Sequence, residues 1–264
     1  MKLPYPIHSF DVSIEDAKRI QNELRNLVEI RETVSHIDEV DLVGGVDVAF
    51  ITSESFSALD SNSKNSLIGL SKPHKNKFGG NKKVAIALAA AVTLDVKKWR
   101  VIETTYAAAP AFFPYIPGFL SFREGPAVLK ACGELSVLPG VMIYDGCGIA
   151  HPRGLGLASH MAVLTGIPSV GCAKSRLCGS CSEPGSARGQ WSEVLYHDRI
   201  IGTCLRTRDN VRPVYVSPGS GFSIEGAWRF ALLSAVKYRL PEPTRLAHNL
   251  VTEYKKKLLS KISN

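Results

Sequence analysis

Apolar and polar positions along this chain switch between two periods, and the switches mark its elements. Ile14, Ala17, Ile20, Leu24, Leu27 and Val28 recur at helical spacing, which predicts a helix from Ser13 to about Arg31. Ser13 and Asp16 stand as a capping box would at its start. Val40–Phe50 is an apolar, β-branched run that reads as a strand, with Gly44 and Gly45 permitting a bulge or a close approach. Val84–Leu94 and Trp99–Tyr106 are predicted as the next strands, which gives three in succession with an antiparallel arrangement. A helix over Arg123–Leu135 follows, with Pro126 tolerated in its first turn. Next come a short buried strand at Val141–Tyr144, a helix at Leu155–Thr165 ended by Gly166 and Pro168, and a strand at Ser169–Ala173. After a Gly/Ser/Cys loop to Gln190, three strands are expected near Glu193–Tyr196, Ile200–Arg206 and Pro213–Val216. Two helices close the chain, Ser223–Tyr238 and Thr244 to about Leu259.

This order predicts an α/β fold with a mixed β-sheet flanked by helices. Residues 51–83, rich in Ser, Asn, Lys and Gly, follow neither period and read as a long insertion within one domain covering 1–264. The longest apolar run, Val84–Leu94, stops at Asp95 and is too short to span a bilayer.

The net charge of +8 suits a polyanionic partner, although a basic protein need not have one. Six lysines and no acid lie between Ser61 and Lys83; Arg206, Arg208 and Arg212 cluster later, and Lys255, Lys256 and Lys257 fit the solvated face of a last helix. Cysteines stand at 132, 147, 172, 178, 181 and 204, and the opening MKLPYPIHSF has no apolar signal region. Reduced thiols in a cytoplasmic setting are expected. Cys178 and Cys181 have the spacing of half a zinc site, with Cys172 as a third thiol.

Two acids interrupt apolar runs, Asp47 in VGGVDVAF and Asp145 in VMIYDGCG. Each alone fits a hydrogen-bonded strand carboxylate or a turn residue. On neighbouring strands they would repel, and a divalent cation would resolve the conflict. Glu124 is expected at a helix start, where a first-turn acid meets the helix dipole favourably. His248 follows Arg245 by three residues in the last helix. In FFPYIPGF, Pro114 and Pro117 bracket Tyr115 and Ile116, which makes the loop stiff. It reads either as a buried crossover or as an aromatic wedge for a base stack. His151, Arg153 and Lys174 read as surface charges or as cations for a phosphate.

Taken together, GVDVAF, PYIPGFLSFREGP, DGCGIAHPRGLGLASHMAVLTGIPSVGCAKS, PVYVSPG and RLPEPTRLAH resemble the endonuclease V family. The resemblance runs from about Ser13 to the C-terminus, apart from the insertion. It implies a ribonuclease-H-like fold and cleavage of nucleic acid at the second phosphodiester bond 3′ to a deaminated base, above all inosine. It implies that Asp47, Glu124, Asp145 and His248 are catalytic and hold Mg²⁺, with Mn²⁺ as a substitute. By the same resemblance Pro114, Tyr115, Ile116 and Pro117 form the wedge, Leu120, Gly146 and Gly148 line the base pocket, and His151 and Lys174 lie beside the cut strand. The expected partner is inosine-containing nucleic acid, DNA or RNA, with no membrane and no obligate protein partner. The alternatives are an inosine-specific ribonuclease and a non-catalytic nucleic-acid-binding module on the same fold. Three features depart from the family pattern: Cys147, Ser220 where a histidine is usual, and the long insertion.

Overall fold

A computed structural model of the chain describes residues 8–32, 40–59 and 85–261. Most of the lysine-rich insertion therefore lies outside the described residues. Its first part forms a short helix, Ser53–Ser57, capped by the Thr52 hydroxyl.

Eight strands build one mixed sheet: β1 (Leu42–Ile51), β2 (Ala85–Asp95), β3 (Arg100–Ala111), β4 (Val141–Tyr144), β5 (Ser169–Ala173), β6 (Trp191–Tyr196), β7 (Arg199–Leu205) and β8 (Val214–Ser220). Their order is β3-β2-β1-β4-β5-β8-β7-β6. The first three are antiparallel, as expected, and β1, β4 and β5 run parallel. The helices are α1 (Ile14–Leu24), α2 (Ser53–Ser57), α3 (Leu120–Gly133), α4 (Leu157–Thr165), α5 (Ile224–Ser234) and α6 (Glu242–Ser260).

Side chains alternate across a strand, so one strand can serve two cores. In β2, Ala87, Ala89 and Ala91 join the core under α3 and α4, while Ile86, Leu88 and Ala90 join the core under α6. Alanines on both faces let helices approach the sheet closely. Gly45 takes this further: a Cβ there would lie 2.3 Å from the Pro243 carbonyl carbon, in the first turn of α6. The glycine pair of β1 thus serves close approach, and β1 pairs with β2 without a bulge.

Several boundaries differ from expectation. The first helix ends at Leu24 and passes into a 3-10 turn, Arg25–Leu27. α3 begins at Leu120, so Glu124 lies in its second turn, beyond the first-turn position expected of it, and Pro126 is an interior residue. β8 runs through Pro218, where a proline argues for a strand end. That proline needs no ladder donor, because β5 and β8 shift register beside it. Ser13 does cap α1, accepting from the Asp16 N–H at 3.0 Å and donating to its carboxylate at 2.8 Å.

Candidate active site

The parallel ladder sets the geometry of the site. Val46 of β1 lies opposite Tyr144 of β4. One residue further along both strands come Asp47 and Asp145, which places the two acids side by side at the end of the short central strand. β4 stops there, so Asp145 stands where ligands of α/β sheets bind. Burial raises the Asp47 carboxyl above its ordinary range; the His248 and Val48 bonds offset this only in part, and the Asp145 charge adds to it. Glu124 reaches the same place from α3. Burial, followed by the charges of Asp47 and Asp145, pushes its carboxyl up to about 8. Three carboxylates therefore share one field.

Two cationic or polar partners moderate it. His248 Nδ1 lies 2.7 Å from Asp47 Oδ2. With the carboxylate as acceptor, Nδ1 carries the hydrogen and Nε2 is the outward ring nitrogen. Lys174, at the end of β5, donates to Asp145 Oδ2. Burial alone would lower its ammonium pKa, but the Asp145 bond and the charges of Asp145 and Asp47 raise it. Among the described residues, no three His, Cys, Asp or Glu side chains stand ready-spaced around one point. The donor chemistry still fits a hard divalent cation, since oxygen donors dominate and their charges repel one another.

A cavity of about 310 Å³ adjoins this cluster. Asp145, Gly146, Cys147 and Lys174 line one side, and Tyr115, Ile116, Pro117 and Leu120 the other. The aromatic loop is thus the rim of a pocket. Phe113 and Phe119 are buried at its base with rings 5.6 Å apart, while Tyr115 is 73% exposed at its tip. Arg176 and Leu177, in the loop that follows β5, also line the cavity. Only proximity in space reveals them.

A family model described as Endonuclease V matches residues 76–249, more than half of the chain. The Endonuclease V of Petrotoga mobilis is 38% identical over 92% of this chain and 94% of its own. This chain belongs to the endonuclease V family. A crystal structure of the Streptomyces avermitilis Endonuclease V is similar at a TM-score of 0.75, with 35% identity, over 93% of this chain and 94% of that one. The Ciona intestinalis Endonuclease V, in complex with a 24mer DNA containing an inosine followed by a ribo-adenosine, shares the fold at a TM-score of 0.70 and 21% identity, over 93% of this chain and 98% of that one. The family is one of nucleases, and the expected ribonuclease-H-like fold is present.

Three sequence expectations change in three dimensions. Gly148 does not line the cavity. Its N–H donates to the Ser217 hydroxyl at 2.9 Å, its carbonyl accepts from Gly156 N–H at 2.9 Å, and an added Cβ would sit 1.8 Å from the Pro218 oxygen. It packs the strand-end turn onto β8, and Gly146 with Cys147 forms the wall. His151 is no cation for a phosphate: it is 4% exposed, and burial lowers its pKa to about 4, with Arg153 adding to the effect. Its Nε2 donates to the Gly118 carbonyl at 2.8 Å. Arg206 is 8% exposed and donates to the Glu183 carboxylate at 2.7 Å and to the Gly185 and Pro184 carbonyls, so it braces loops inside the protein.

The remaining departures have local accounts. Ser220 lies opposite Ser169, at the start of β5 and away from Lys174, and its hydroxyl accepts from Glu29 N–H at 3.0 Å. All six cysteines are free, and Cys172 is buried in the core. The three-thiol zinc option therefore has no support among the described residues. Burial pushes the Cys147 thiol up to about 12, so it presents a neutral S–H to the cavity wall.

The buried histidines make stability pH-dependent. His160 is fully buried, and burial followed by the charges of His8 and His151 holds its pKa well below 6.5. Both rings are neutral when folded and take up protons when unfolded, so stability is complete above about pH 6.5 and falls as pH drops toward 4. His151 alone contributes about 3 kcal/mol to that loss. Thermal melts at pH 7.5 and pH 5 measure it, and equal Tm values would show that the rings are charged or exposed.

Proposed function

We propose that this protein is a metal-dependent endonuclease of nucleic-acid repair that recognises deoxyinosine in DNA and cuts the second phosphodiester bond on its 3′ side. The observation that carries this reading is the placement of three mutually repelling carboxylates beside a base-sized cavity rimmed by an exposed tyrosine. Membership of the family supports it, and so does the inosine-containing DNA of the Ciona relative.

Asp47, Asp145, Glu124 and His248 would hold Mg²⁺, with Mn²⁺ as a substitute, and that ion supplies phosphate polarisation and an easily ionised water. The residues themselves do the rest. Tyr115 and its prolines enter the gap left by an extruded base, which costs a few kcal/mol of unstacking and less at a weakened pair. The base enters the cavity against Leu120, Gly146 and Cys147. Lys174 meets the backbone phosphate next to Asp145. His248, oriented through Nδ1 by Asp47, would offer Nε2, its one free ring nitrogen, to that ion. In-line attack then expels the 3′ oxygen and leaves a 5′-phosphate and a 3′-hydroxyl. Six free thiols fit a cytoplasmic location, and no described helix is long and apolar enough to cross a membrane.

Cleavage of inosine placed in duplex DNA, single-stranded DNA and RNA, compared side by side with Mg²⁺, tests the proposal. Preferential cutting of the DNA substrates supports it. Cutting of RNA alone would replace it with an inosine ribonuclease, and binding without cutting would replace it with a recognition module. Tyr115→Ala is expected to weaken inosine-duplex binding about tenfold, with undamaged duplex little affected. Equal losses on both duplexes would remove the wedge role.

A further inference from the structure

Gln21 belongs to α1, outside the segment that the family model matches. It is 1% exposed, an unusual position for a primary amide, and every part of that amide is engaged. Nε2 donates to the Gly118 carbonyl at 3.0 Å and to the Leu155 carbonyl at 3.2 Å; Oε1 accepts from Arg153 Nε at 2.5 Å. Its acceptors lie on two separate segments. Gly118 closes the Tyr115 loop, and Leu155 follows His151 and Arg153.

The Gly118 carbonyl is the focus of this network. It also accepts from His151 Nε2 at 2.8 Å and Arg153 Nη2 at 2.7 Å. Gly118 has a φ of +83°, a backbone conformation that favours glycine, and a Cβ there would stand 3.0 Å from Arg153 Nη2. Apolar contacts reinforce the anchor. Ala17 and Ile20 of α1 pack with Phe113, Phe119 and Phe122, and the Arg153 guanidinium lies 4.2 Å over the Phe119 ring. The base of the loop is therefore pinned while its tip is exposed.

We propose that Gln21 is a positioning residue for lesion recognition: it fixes the height of the Tyr115 loop over the cavity by donating to Gly118 and Leu155. This rests on the reading of the loop as a wedge. A wedge already in place spares the ordering cost that a loose loop would meet on binding. Gln21 acts through the loop and leaves the chemical step to the carboxylates.

The test uses Gln21→Met, which keeps the volume and removes the hydrogen bonds, and Gln21→Glu, which keeps the acceptor for Arg153 but removes the donor. Hydrogen exchange of the loop amides at Ile116, Gly118 and Phe119 is measured along with binding and turnover. Both variants should speed loop exchange and weaken inosine-duplex binding, each about tenfold, with undamaged-duplex binding changed less than about twofold. Turnover at saturating inosine substrate should stay within about threefold of the parent. Unchanged loop exchange and unchanged discrimination would make Gln21 a core filler and overturn the proposal, as would acceleration spread evenly over the whole protein. If Gln21→Met does not fold, Gln21→Glu carries the same comparison. A parent protein that shows no preference for inosine, with loop exchange still faster in the variants, would remove the wedge reading and keep Gln21 as the pin.

Discussion

Asp47→Asn and Asp145→Asn should each lower cleavage of an inosine-containing duplex by about 10³-fold at saturating Mg²⁺, a loss of roughly 4 kcal/mol of transition-state stabilisation. The substitution keeps shape and removes charge. Asp47 is the sharper test, because its carboxyl is held above its ordinary range by burial, with Asp145 adding repulsion. The folded protein without a cation therefore gains by losing that charge, and Asp47→Asn should melt at the same temperature as the parent or higher. Activity and stability would then move in opposite directions, the signature of a residue kept for chemistry. Asp145→Asn differs in one respect: it leaves Lys174, 44% exposed, without its carboxylate. Gel-based cleavage rates and calorimetric Tm values decide both points. Cleavage near the parent rate in either variant would withdraw that acid from the proposed site, and a calorimetric Mg²⁺ titration unaffected by the substitutions would separate the acids from the cation.

Gly45→Ala should cost activity far more than its single methyl suggests. The new Cβ would stand 2.3 Å from the Pro243 carbonyl carbon and 2.4 Å from its oxygen. Those are backbone atoms at the start of α6, so relief requires the helix to lift from β1. Overpacking of this kind costs about 1–3 kcal/mol. The same shift carries His248, further along α6, away from Asp47, two residues beyond the substitution. Misplacement by an ångström can cost about 10²-fold in rate, and a loss of that order is expected here. Gly133→Ala is the control, since nothing lies within 4 Å of its added Cβ. It should cleave and melt as the parent does. Parent-like cleavage by Gly45→Ala would show that this contact does not set the position of His248.

Legibility varied along the chain for physical reasons. The three leading strands were readable because apolar runs of strand length alternate with charged connections. α3 was misplaced by three residues because its start has no side-chain cap and follows a proline-rich loop. Pro218 hid the end of β8 for a similar reason: a proline inside a ladder is tolerated only where the register breaks, and register is a property of two strands together. Gln21 carries a signal in the sequence itself. It lies four residues after Ala17 and one after Ile20, on the apolar stripe of α1, where a polar side chain must find partners.

The sequence alone determined the alternation of strands and helices, the pair of acids set in apolar runs, and, through its motifs, the family. Those properties depend on neighbouring residues, on backbone preferences and on the period of burial. The tertiary structure decided which groups meet: that Asp47 and Asp145 share a register, that Glu124 and His248 arrive from separate helices, and that Gly148 faces β8 with its hydrogen bonds already taken. It also turned His151 from a candidate cation into a neutral clamp. Burial and partners set the charge and direction of a side chain, and both are settled only when distant segments pack together.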